Sequence, residues 1–158
     1  MKIIQGDLIQ LAIEGQFDLI IHGCNCFCTM GAGIALQIKK RFPKALAADL
    51  KTPKGDPKKL GTYSMAVERT PKGKICIINA YTQYHHSDAG VLADYQAIQT
   101  VFEKIKKDFP GNRIGYPKIG AGLAGGDFNI IKKIIQTALA GENHTLVEYL
   151  NPQGKFKN

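Results

Sequence analysis

The chain has 158 residues, of which 44% are hydrophobic and 22% charged, so it is a globular domain rather than a disordered segment. Its 21 Lys and Arg outnumber 13 Asp and Glu, for a formal charge of +8. No apolar run approaches the ~18 residues of a membrane span, and Asp7 interrupts the apolar start, so neither a membrane helix nor a signal peptide is expected.

Lys2 to Gln5 reads as a short strand, and Asp7 as the cap of a helix over Leu8 to Glu14. Asp18 to His22 is a continuous apolar run, the pattern of a strand buried on both faces. Gly31 to Arg41 reads as a helix with Ile34, Ile38 and Phe42 four residues apart. Pro43 opens the next helix, to Leu50. Lys51 to Gly61 is a Lys/Pro/Gly-rich loop. Thr62 to Arg69 and Lys74 to Tyr81 flank Thr70-Pro71-Lys72-Gly73, which predicts a β-hairpin. Leu92 to Phe109 carries the clearest amphipathic stripe. Arg113 to Ile119 reads as a strand, Gly120 to Gly126 as a glycine-rich loop, Asp127 to Ala140 as a helix and Thr145 to Leu150 as a strand. Residues 151–158 are expected to fray.

This order predicts an α/β fold, a three-layer α/β/α sandwich around a mixed, mostly parallel sheet of about six strands. Residues 1–150 form one domain and 151–158 a short C-terminal tail. Basic clusters at Lys39 to Arg41, Lys51 to Lys59 and Lys104 to Lys107 suit a solvated surface, with polyanion binding as a secondary reading. Cys24, Cys26, Cys28 and Cys76 lack zinc-site spacing, so no metal or other cofactor is expected and the thiols pack or line a pocket. Without a secretory signal the chain reads as cytoplasmic.

Two glycine-rich segments stand between a strand and a helix, where open α/β sheets place their ligands. They are Cys24 to Ile34 and Ile119 to Phe128. Glycine lets backbone N–H groups approach a phosphate, and the helix that follows favours an anion. Neither segment is a Walker loop or a dinucleotide fingerprint. Together they point to a diphosphate clamp. Asp7 lies at the same edge, where its carboxylate caps a helix or accepts a hydrogen bond from an adenine amine.

Four stretches in order resemble the macrodomain, the ADP-ribose-binding module. They are Gln5-Gly6-Asp7-Leu8, His22-Gly23-Cys24-Asn25, Gly31-Ala32-Gly33-Ile34-Ala35 and Ile119 to Asp127. The resemblance covers residues 1–150 and is nearest the branch of the fungal ADP-ribose-1''-phosphate phosphatase and the terminal ADP-ribose protein glycohydrolase. It implies that Asp7 and Leu8 hold the adenine, with Phe128 or Tyr149 as the aromatic beside it. Asn25 would face the distal ribose. Gly31, Ala32, Gly33 and Ile34, with Gly120, Ala121, Gly122, Leu123 and Ala124, would wrap the diphosphate and that ribose. His22, Asn25 and Asp127 are the implied catalytic residues, His22 as general acid–base or nucleophile. Gln83 and Ala124 stand where the glycohydrolase has its Lys and Asp, so an imine mechanism is not expected. The implied function is ADP-ribose binding with hydrolysis of a small derivative such as ADP-ribose-1''-phosphate or an ADP-ribosyl ester. The alternative is a non-catalytic ADP-ribose reader. A monomer is expected, with ADP-ribose or an ADP-ribosylated substrate as partner, no membrane, and nucleic acid secondary.

Overall fold

The computed structural model describes residues 1–86, 91–122 and 124–150, and the backbone of 156–157. The strands are β1 (Lys2–Gly6), β2 (Leu19–Cys24), β3 (Tyr63–Thr70), β4 (Gly73–Tyr81), β5 (Arg113–Tyr116), β6 (Asn143–Leu150) and β7 (Phe156–Lys157). The helices are α1 (Leu8–Ile13), α2 (Gly33–Arg41), α3 (Pro43–Leu50), α4 (Tyr95–Asp108) and α5 (Phe128–Ala138), with a 3-10 turn at Pro57–Lys59. They build one sheet in the order β1-β6-β5-β2-β4-β3. All neighbours on that path are parallel except the β3–β4 hairpin. The tail expected to fray carries β7, which pairs antiparallel with the end of β6.

Alternation along the central strands divides the core between the two faces of the sheet. Leu19 and Ile21 of β2 join α4 and α5 on one side, with Ile98, Phe102, Ile131 and Ile135. Ile20 faces the other way, onto Leu8 of α1, Ile38 of α2 and Ala45 of α3. This is the expected three-layer sandwich. No described helix is long and apolar enough to cross a membrane.

Three of the boundaries that differ from the sequence reading do so for a local reason. Helix α4 starts at Tyr95 because Asp94 caps it, its Oδ1 accepting from Ala97 N at 2.9 Å. Leu92 and Ala93 instead donate their backbone N–H groups to Ala124 O, tying the helix entrance to the second glycine loop. Strand β5 stops at Tyr116 because Pro117 has no N–H to continue the ladder. Helix α2 begins at Gly33, not Gly31, because the backbone before it turns through positive φ at Met30.

Candidate functional site

The carboxyl ends of β1, β2, β5 and β6 open into one cleft of about 1020 Å³. Gly6 to Ile9 form its wall after β1, Gly23 to Asn25 after β2, Pro117 to Gly120 after β5, and Val147 to Tyr149 on β6. The first glycine loop and the start of α2 contribute Thr29 to Gln37. Gly122 and Ala124 come from the second.

The first loop holds an unusual backbone. Cys28 (φ 57°) and Met30 (φ 40°) both lie in the left-handed region, which costs a residue with a Cβ of order 1 kcal/mol or more. Side chains fix it from below. Asn25 Oδ1 accepts from Phe27 N at 2.8 Å, and its Nδ2 donates to Thr29 Oγ1 at 2.7 Å. Met30 is buried with Cys24, Cys26 and Tyr81. The buried Lys59 ammonium donates to Cys26 O at 3.1 Å. The second loop is cinched by Gly126 N donating to Gly120 O at 2.7 Å and Gly125 N to Gly122 O at 3.1 Å.

The expected binding residues Asp7, Leu8, Asn25, Gly31, Ala32, Gly33, Ile34, Gly120, Gly122 and Ala124 all form part of the cleft wall. Ala121 does not, and Leu123 lies outside the described residues. Asp7 caps α1, its Oδ1 accepting from Ile9 N and Gln10 N at 3.0 and 3.1 Å, while its side chain borders the cleft. Tyr149 lines the cleft. Phe128 does not, and sits beneath the Lys118 ammonium instead.

Two of the expected catalytic residues, His22 and Asp127, lie outside the cleft wall. His22 lies within β2, 0% exposed and outside the cleft wall, with Nε2 2.7 Å from Asn79 Oδ1. Its Nε2 is committed to Asn79, and the residue does not border the cleft. Burial pushes its pKa down to about 4, against the opposing Asn79 bond. His22 therefore folds neutral, and below its ordinary pKa the unfolded chain binds the extra proton. Its contribution to stability is full above about pH 6.5 and falls by about 3 kcal/mol as the pH drops to 4. Chemical denaturation of wild type and His22→Gln at pH 7 and pH 4 checks this, since the variant loses that part of the slope.

Asp127 is the cap of α5, its Oδ1 accepting from Asn129 N at 2.9 Å, and it is exposed outside the cleft. Asp127→Ala is expected to cost about 1 kcal/mol of stability. Ligand affinity and any turnover should stay unchanged, which thermal melts and titration of the same sample would check.

Several further residues line the wall. Lys40 and Arg41 reach the cleft from the last turn of α2, and Lys118 from the turn after β5. Lys118 Nζ is 3.8 Å from Glu148 Oε2, which also lines the cleft. Gln83 lines it too, brought in by a bridge to Ala93, with its Nε2 donating to His85 O at 2.8 Å. His86 stands on the wall beside Phe27, the ring centres 6.1 Å apart. The last is Asp49, a buried carboxyl from α3. Among the described residues, no group of three or more His, Cys, Asp or Glu is arranged to hold a metal ion.

Such a cleft suits an anionic ligand. Backbone N–H groups at the glycine loops and the start of α2 favour the anion. Comparison with known proteins agrees in fold and sequence. A protein of Enterobacteria phage T4, described as "Uncharacterized 17.5 kDa protein in tk-vs intergenic region", is 40% identical over 143 residues, 87% of this chain and 88% of its own. The DNA ADP-ribosyl glycohydrolase of Mycobacterium tuberculosis is 26% identical over 133 residues, but the match spans 84% of this chain and only 37% of that protein. Among solved structures, the macrodomain of Mycobacterium tuberculosis DarG superposes with a TM-score of 0.68 at 23% identity, covering 92% of this chain and 96% of that one. Thermosipho africanus DarTG in complex with ADP-ribose also gives 0.68, at 14% identity, over 99% of this chain and 43% of that one. Residues 21–135 match the Macro domain family. The chain belongs to the Macro domain family.

Proposed function

We propose that the cleft binds ADP-ribose and that the chain hydrolyses a small derivative substituted on the distal ribose, such as ADP-ribose-1''-phosphate or an ADP-ribosyl ester. The observation that carries the reading is the single cleft walled by both glycine loops, with Asp7 and Tyr149 in the same wall. Asp7 and Leu8 would receive the adenine beside Tyr149. The diphosphate would lie against Gly31 to Ile34 and Gly120 to Gly122, and the distal ribose against Asn25. A relative named as an ADP-ribosyl glycohydrolase and an ADP-ribose complex on the same fold both support this reading.

A second reading, a reader that binds without chemistry, has its own observation. Gln83 and Ala124 line the cleft where the resemblance places a Lys and an Asp, and neither side chain can act as nucleophile or base. The deciding experiment incubates the protein with ADP-ribose-1''-phosphate and with an ADP-ribosyl carboxylate ester, and follows released ADP-ribose by chromatography. Enzyme-dependent release from either substrate is expected. Binding of both without release would leave the reader.

A further inference from the structure

A line of buried polar groups, joined through the half-buried Ser64, runs from β2 to the cleft wall. His22 Nε2 and Asn79 Oδ1 are 2.7 Å apart. Asn79 Nδ2 donates to Ser64 Oγ at 3.0 Å and to Ala45 O at 2.9 Å. Ser64 Oγ and Tyr81 OH are 2.8 Å apart, and Tyr81 OH donates to Asp49 Oδ1 at 2.7 Å.

The direction of each bond follows from chemistry. An ionised carboxylate only accepts, so Tyr81 spends its single proton on Asp49. Ser64 must then donate to Tyr81 and accept from Asn79. The Asn79 carbonyl oxygen accepts, so Nε2 of the neutral His22 carries the proton. Every link points its donor toward Asp49, and bonds aligned this way polarise one another.

The end of the line is a costly place for a carboxylate. Asp49 is 1% exposed and sits in the last turn of α3, where the helix dipole disfavours negative charge. Its pKa is raised, chiefly by burial, with the Tyr81 bond and the Lys59 charge opposing. Lys59 is itself buried over the Tyr81 ring, its Nζ 4.5 Å from the ring centre. Yet Asp49 forms part of the cleft wall, together with Asn25, Thr29 and Met30. A built, donor-aligned carboxylate at a ligand cleft is the arrangement of a proton-handling group.

We propose that Asp49 is the general base of this cleft, with Tyr81, Ser64, Asn79 and His22 as positioning residues that hold its carboxylate. This rests on the hydrolase reading above and deepens it. Water attacks the anomeric carbon of the distal ribose, and one water proton passes to Asp49. The new bond joins that carbon to the water oxygen, and the bond to the leaving oxygen breaks with its electron pair. The leaving oxygen departs as part of a phosphate or carboxylate anion, and Asp49 releases its proton to solvent. The products are ADP-ribose, the free phosphate or carboxylate and a proton, with no redox change.

The test compares wild type, Asp49→Asn and Tyr81→Phe for ADP-ribose affinity by calorimetry, for release of ADP-ribose from the two substrates, and for the pH dependence of kcat. The titratable groups facing Asp49 are Tyr81 from β4, Lys59 from the 3-10 turn, Cys28 from the loop, and more distantly Cys24 and Cys26. Asp49→Asn is expected to lower kcat by about 10²–10⁴-fold, the usual range for a lost general base, while ADP-ribose affinity stays within a few-fold. Tyr81→Phe should lower kcat less and displace the acid limb of the pH profile, a shift that a purely structural role would not cause. Should Asp49→Asn not fold, Tyr81→Phe and the wild-type profile decide. Unchanged kcat in a folded Asp49→Asn, or a Tyr81→Phe profile that superimposes on wild type, overturns the proposal. Wild type that binds ADP-ribose but releases none overturns it as well and leaves a reader. Wild type that does not bind ADP-ribose overturns the function reading itself.

Discussion

Gly126→Val is expected to cost about 3 kcal/mol of stability and to abolish ADP-ribose binding. A Cβ at this position would stand 2.5 Å from Gly120 O, 2.9 Å from Ile131 Cδ1 and 3.0 Å from Ala93 Cβ. The first of these is backbone, so it cannot rotate away. Gly126 N also donates to that same Gly120 O at 2.7 Å, and this bond closes the second glycine loop. Relieving the clash means opening the loop, and the open loop loses its place in the cleft. For a domain of this size, about 3 kcal/mol lowers Tm by about 6–12 °C. Gly111→Ala is the comparison. It has φ +78° but nothing within 4 Å, so it should cost only about 1 kcal/mol and leave binding intact.

Gly33→Glu is expected to separate binding from folding. Gly33 is the first residue of α2 and lies in the cleft wall. Its φ is +57°, so any side chain costs about 1 kcal/mol, yet a Cβ there meets nothing within 4 Å. The carboxylate would occupy the helix N-terminus that the diphosphate needs, and would repel it. Like charges brought together at a binding surface cost several kcal/mol, so affinity for ADP-ribose should fall about 100-fold or more. Gly33→Gln has the same bulk without the charge and should lose far less. Equal losses in the two variants would mean that shape, not anion recognition, governs this end of the cleft.

The layers and the loops were legible in the sequence because each rests on a local pattern. Asp18 to His22 announced a strand buried on both faces, and the same run already told against an accessible His22, since its last residue shares that burial. Asp7 and Asp127 precede apolar helices, and both prove to be caps. Asp49 and Lys59 were not legible. In Pro43 to Leu50 the aspartate looks like an ordinary surface residue, and Lys59 looks like one more charge in a Lys-rich loop. Both are buried because α3 and the 3-10 turn fold over Tyr81, a contact across more than twenty residues that no periodicity encodes. Lys118 escaped for a similar reason, since it is placed by the turn that Pro117 imposes after β5.

The most direct measurement of the central claim is a calorimetric titration of the folded protein with ADP-ribose, with ADP and AMP as controls. The proposed reading predicts micromolar binding of ADP-ribose, tighter than ADP and much tighter than AMP, because the distal ribose and both phosphates would meet the glycine loops. Affinity no better for ADP-ribose than for ADP, or no binding at all, would contradict it.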